Sequence, residues 1–202
     1  MKLLDILLLP RNFYKKLNDK RLTLYFGIIF IGIADFMFNF LDNYSAIFSG
    51  KAENAIYKNI VLFAVFIVIV GAVDILFFSK PLFDLFKKFK KESHEFESDT
   101  KLIKLMKVYI SAHFVLVPLE ILIYAAAKNV DSLNYNLVLI AAFIELILPV
   151  LFSAAIARGI NVIYNFEPLF KRLVFIVVFI WSYALGYALS YVIDNWIMGI
   201  FI

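Results

Sequence analysis

Long runs of apolar residues alternate with short basic or polar stretches along the whole chain. Five runs are long enough to matter: Leu22–Leu41, Ile60–Phe78, Val108–Ala127, Leu137–Ala157 and Leu173–Ile193. A helix rises ~1.5 Å per residue, so a ~30 Å hydrocarbon core needs about 20 apolar residues. Each run meets that length. None shows the strict alternation of a membrane β-strand. Backbone groups in lipid must be satisfied within the segment, so the pattern predicts five transmembrane helices. The expected fold is all-α, a single polytopic domain over residues 1–202. Residues 1–21 are expected as an interfacial segment and residues 80–107 as a basic loop.

Lys and Arg fall unevenly between the runs. The segments before the first run, between the second and third, and between the fourth and fifth hold seventeen of the 20. The other three segments hold the remaining three. Positive charge stays on the cytoplasmic side, so the N-terminus is expected inside and the C-terminus outside. The apolar stretch Leu3–Leu9 is interrupted by Asp5, ends at Pro10 and has no small-residue cleavage site, which argues against a signal peptide.

Composition supports this picture and narrows it. Of 202 residues, 63% are hydrophobic and 18% charged, against the ~25% charged of a soluble domain. That excludes a disordered chain as well as a water-soluble fold. There is no cysteine, hence no disulfide, thiolate metal site or cysteine nucleophile. The net charge of +4 lies between apolar blocks and reports topology, so no nucleic-acid partner is expected. Lys outnumbers Arg 16 to 4, which fits an AT-rich bacterial genome and a bacterial plasma membrane.

Each basic segment carries a proline-led stretch: Pro10–Leu17, Pro81–Phe89 and Pro168–Leu173. Proline suits the first turn of a helix. In the second, Leu82, Leu85, Phe86 and Phe89 fall on one face, with Lys87, Lys88, Lys90 and Lys91 beside them. This predicts an interfacial amphipathic helix, apolar face in the bilayer and ammonium groups toward anionic headgroups or a cytoplasmic protein partner. A solvated positive-inside anchor would carry the same residues. In the polar stretch that follows, His94, Glu95 and Glu97 offer metal-ligand chemistry, or are simply solvated.

Ionisable residues inside apolar runs are costly and are the first functional candidates. They are Asp35, Asp74, His113, Glu120 and Glu145. Asp35 lies ~9 Å, Glu120 ~10 Å and Glu145 ~12 Å below the outer ends of their spans, which puts three carboxyls in one layer. Asp74 and His113 lie ~6–8 Å from the opposite ends, as a candidate buried pair. Polar stripes accompany them. Gly32, Asp35, Asn39 and Asp42 share one face of the first span; Tyr109, His113, Val117, Glu120 and Tyr124 share one of the third; Tyr135, Val138, Ala142, Glu145 and Pro149 share one of the fourth. The upper acids have no basic partner in the membrane. They form an ion or proton site, or bond helix to helix as neutral acids, or sit at the interface. Ser182, Gly186 and Ser190 make a small-residue face on the last span, suited to close packing within the chain or in a homodimer. No hydrolase, zincin or phosphate-loop motif is present, so no enzymatic activity and no cofactor are expected.

The whole plan resembles the Yip1 domain family: a cytoplasmic N-terminus, five spans and an external C-terminus. The stretch Leu7–Leu17, with a proline and an aromatic before the first span, is similar to the opening of small bacterial members, while the Asp-Leu-Tyr-Gly-Pro motif of eukaryotic members is absent and Gly186-Tyr187 stands near their later Gly-Tyr. The resemblance implies a non-enzymatic membrane protein that organises membranes or binds partners. A small transporter using the intramembrane carboxylates is the alternative.

Overall fold

The computed structural model describes residues 7–90, 95–128 and 135–201, without the side chains of residues 95–98, 127, 135–138, 141 and 145. Among the described residues every element is helical. A short helix α1 (Arg11–Lys15) precedes α2 (Leu22–Phe48), α3 (Glu53–Lys90), α4 (Glu95–Lys128), α5 (Tyr135–Tyr164) and α6 (Pro168–Val192). A π turn (Ile193–Ile197) and a 3-10 turn (Met198–Ile200) follow. Helices α2 to α6 each contain a stretch long and apolar enough to cross a membrane. Successive helices pack antiparallel on one another, with α2 also on α4, α3 on α6, and α1 on α5.

The helices overrun the apolar runs because polar residues at their ends extend them rather than stop them. The clearest case is α3, which continues for 38 residues through Pro81. A proline inside a helix strands the carbonyl four residues earlier. Here that carbonyl, Phe77 O, accepts a hydrogen bond from the Trp181 indole of α6 at 3.1 Å. The helix therefore survives its proline by a bond across the bundle.

This overturns the separate interfacial helix expected at Pro81–Phe89. Leu82, Phe83 and Phe86 are buried in the protein core, not offered to lipid. Phe86 lies 5.8 Å from the Tyr164 ring and 5.7 Å from Phe166. These two aromatic partners cover Phe86 inside the bundle, while Phe89, further along the same face, stays exposed. Residues 80–90 are thus the end of α3, not the start of a loop, and Lys91 and His94 lie outside the described residues. Pro168 does open its helix, as the sequence predicts.

The N-terminal segment is docked in the same core. Tyr14 is buried, and its hydroxyl donates to Ala155 O at 2.8 Å. Gly159 admits it: a Cβ there would meet the Tyr14 ring and Val108. Burial raises the Tyr14 phenol above its ordinary range, so it remains a donor. Lys107 adds a second clamp, with Nζ 2.9 Å from Asn18 O and 2.6 Å from Asn18 Oδ1.

Two apolar clusters form. One fills the end nearer the N-terminus, from Phe78, Phe86, Leu105, Val108, Ile156 and Ile160. The other fills the opposite end, where Ile193, Ile197, Met198 and Phe201 fold back on Phe36, Ile47 and Val70. Between them α2 crosses α3 at Gly32 and Gly71. A Cβ on Gly32 would strike Ile67 O, and one on Gly71 would strike Ile28 O. Only hydrogen fits at both positions.

Gly71→Ala is therefore expected to force α2 from α3, at about 1–3 kcal/mol, the usual cost of overpacking. Thermal unfolding in detergent reads this as a lowered Tm. Gly186→Ala is the matched control, because nothing lies within 4 Å of a Cβ there. Equal Tm values for the two variants would refute the crossing.

Candidate functional site

The glycine crossing places two acids. Asp35 is one turn beyond Gly32 on α2, and Asp74 one turn beyond Gly71 on α3. Because the helices run antiparallel, the two lie on opposite sides of the crossing, ~9 Å apart along the bundle axis. Both line a cavity of about 490 Å³, together with His113 and Glu120 of α4, Pro149 of α5 and Ser182, Tyr183, Gly186, Tyr187 and Ser190 of α6. The depths expected for two layers thus open into one space. No Lys or Arg is among the lining residues.

Asp74 is buried and satisfied. Both of its carboxyl oxygens stand within reach of the Tyr109 hydroxyl, at 2.9 and 2.8 Å, and Tyr109 has one proton to donate. The Tyr109 ring is fixed by stacking on Phe78, with centroids 3.9 Å apart. His113 sits edge-on to the same ring at 4.4 Å. Its Nδ1 is 3.1 Å from Tyr109 O. A carbonyl only accepts, so Nδ1 carries the proton and Nε2 is left to act as acceptor in the neutral ring. Asp74 and His113 are therefore joined through Tyr109 rather than to each other.

Asp35 is different. Its Oδ2 is buried and accepts no hydrogen bond from the described residues. Its charged neighbours are Asp74 and Glu120, both acids. A buried acceptor without a donor costs about 1–3 kcal/mol, more when charged. Three acids in one cavity cannot all ionise without a compensating cation. Glu145 belongs to α5, but its side chain lies outside the described residues; Pro149, one turn further on the same stripe, does line the cavity. Among the described residues no three His, Asp or Glu side chains stand close enough to hold a metal ion. Glu95 and Glu97 have no described side chains to add to His94.

At the far end of the same α2 stripe, Asp42 is neutralised. Lys128 Nζ lies 3.0 Å from its carboxylate, and Tyr124 donates to the same oxygen. The pair is exposed and contributes little to stability. Its effect is local: the charge of Asp42 is balanced and that of the cavity acids is not.

The sequence suits Ser182, Gly186 and Ser190 to close packing within the chain or in a homodimer; within the chain nothing lies within 4 Å of a Cβ on Gly186, and the three line the cavity. Ser182 does touch α5, with its Oγ 3.0 Å from Ser153 Oγ. The signal that would have found this face is the one used for Glu120: polar atoms recurring every four residues on an apolar helix. Tyr109 lies on the stripe that the sequence marks through His113 and Glu120, and its hydroxyl is the group that reaches Asp74.

No family model, curated protein or solved structure matches the chain. The residues themselves therefore carry whatever is said of function.

Tyr109→Phe removes the donor to Asp74. The expected loss is about 1.5–3 kcal/mol, typical of a hydrogen bond to a charged group. In a double-mutant cycle with Asp74→Asn, unfolding in detergent should give a coupling of at least half that value. A coupling near zero would mean that the two groups do not meet.

Proposed function

We propose that the chain is an integral membrane protein whose carboxyl-lined cavity binds a cation, in the manner of a small transporter or ion-binding protein. Its carrying observation is Asp35: among the described residues its buried carboxyl oxygen has no hydrogen-bond partner, Asp74 and Glu120 share its cavity, and no Lys or Arg lines the wall. The five apolar helices support membrane placement. The positive-inside rule then sets the basic end in the cytoplasm.

Size and wall chemistry favour an organic ammonium ion over a bare metal. About 490 Å³ far exceeds a dehydrated metal ion, and among the described residues no three ligands converge on one point. The wall is aromatic as well as acidic, with Phe38, Tyr109, Phe152, Tyr183 and Tyr187. Aromatic faces attract ammonium groups by about 0.5–2 kcal/mol each, more when water is excluded. Carboxylates supply the counter-charge. Docking through the proline-led basic stretches keeps only part of its apolar face, since Leu82 and Phe86 are buried and Phe89 is exposed.

Tetramethylammonium is therefore expected to stabilise the purified protein, more strongly as pH rises, because binding requires ionised acids and releases protons. Thermal unfolding at several pH values, with Na⁺ and Ca²⁺ as comparisons, measures this. Asp35→Asn and Glu120→Gln should each abolish the effect. Stabilisation that persists in both variants, or is absent at every pH, rules out the cavity as a cation site. Orientation is checked with Lys90→Cys and Glu53→Cys at opposite ends of α3 in this cysteine-free chain: impermeant labelling of both from one side contradicts the membrane placement.

A further inference from the structure

The acid cavity carries its carboxyl groups at two levels. Antiparallel packing at the glycine crossing sets Asp35 and Asp74 ~9 Å apart along the bundle axis. Helices α2 and α4 run parallel, and aromatic pairs fix their register. Phe30 stacks on Phe114 with centroids 3.9 Å apart, and Phe38 meets Tyr124 at 4.8 Å. Asp35, midway between Phe30 and Phe38, therefore falls opposite Glu120, midway between Phe114 and Tyr124. Those two acids make the upper level. Asp74, held by Tyr109, makes the lower one. His113 lies one turn beyond Tyr109 on the same face of α4, on the way from the lower level to the upper.

Each level offers an acceptor that lacks a donor. At the upper level Asp35 Oδ2 is buried and has no hydrogen-bond partner among the described residues. At the lower level Tyr109 brings one proton to two Asp74 oxygens, so an ionised Asp74 keeps acceptor capacity. His113 adds an acceptor that is not an acid: its Nδ1 is committed to Tyr109 O, which leaves Nε2 on a residue of the cavity wall. Of the chain's 20 Lys and Arg, only Lys2 and Lys91 lie outside the described residues, and none of the others lines this cavity. Between the levels the wall is apolar, with Val117 and Phe152.

We infer that the cavity takes a linear alkyl diamine, with a protonated primary amine at each end. This rests on the cation reading above and names its ligand class. One ammonium group meets Asp35 and Glu120, and the other meets Asp74 beside His113 Nε2. A single cation compensates one level only, and a buried acid without a counter-charge stays protonated. A primary ammonium brings three N–H donors, each able to form a charge-assisted bond to a carboxylate. A quaternary ammonium brings none, so it leaves Asp35 Oδ2 and His113 Nε2 as they are. The methylene chain lies along Val117 and Phe152, where a hydrated metal ion would find no ligand. The spacing of the two levels then selects chain length as well as charge.

The test uses the full-length protein in detergent at neutral pH and constant ionic strength. Thermal unfolding is followed against rising tetramethylammonium, butylammonium, diaminopropane, cadaverine and hexamethylenediamine. Cadaverine or hexamethylenediamine should reach half-saturation at a concentration about tenfold below that of butylammonium, the gain expected of a second charge-assisted contact. Tetramethylammonium should be weakest. Asp74→Asn should erase the difference between these diamines and butylammonium. His113→Phe should narrow it severalfold, which keeps the test decisive if the first variant fails to fold. Asp84→Asn, which alters a surface acid paired with Lys80, should leave the difference unchanged. Stabilisation by every amine with no advantage for the diamines overturns the diamine inference and leaves the cation reading standing. So does an advantage that ignores chain length, or one that survives in both Asp74→Asn and His113→Phe. Absence of stabilisation by any of the five overturns both.

Discussion

Backbone meets backbone where α2 crosses α3, and the rest of the bundle is arranged around that contact. With hydrogen as the only side chain at Gly32 and Gly71, two helices approach more closely than any Cβ allows. The acids at Asp35 and Asp74 are each one turn away. Close approach thus fixes both where the helices touch and where their buried charges face. In an apolar solvent, where helices gain no hydrophobic energy from one another, such contacts are a main source of cohesion.

Charge is then sorted by position. The basic end gathers Arg11, Lys15, Arg158 and Lys171 around α1, α5 and α6, while the central cavity gathers Asp35, Asp74 and Glu120 beside His113. At the far end Asp42 and Lys128 pair.

The number of long apolar helices and the set of in-span ionisable residues were legible because period and charge are local properties, whereas the helix ends ran past the apolar runs. The facing of Asp35 and Glu120 was legible too, since stripes follow from 3.6-residue geometry. What escaped was each feature that depends on a partner. Pro81 reads as a boundary until Trp181 takes up the stranded Phe77 carbonyl. Phe86 reads as a lipid anchor until Tyr164 and Phe166 cover it. Asp74 and His113 read as a pair until Tyr109 stands between them. The gathering of Arg11, Lys15, Arg158 and Lys171 draws on three segments far apart in sequence, each of which alone looks like a topogenic signal.

The unequal fastening of α6 has a consequence for access. Its first half is held by buried Val174 and Val178, by Trp181 and by Ser182. Its end is held by Ile193 and Ile197. Between these anchors Tyr183 and Tyr187 line the cavity while 64% and 73% of their surface remains exposed. One wall of the acid cavity is therefore also the outer flank of the bundle. In a bilayer that flank meets acyl chains, so the door to the cavity is lateral. For the cation proposed above, that route would favour amphiphilic amines over ions that keep their water.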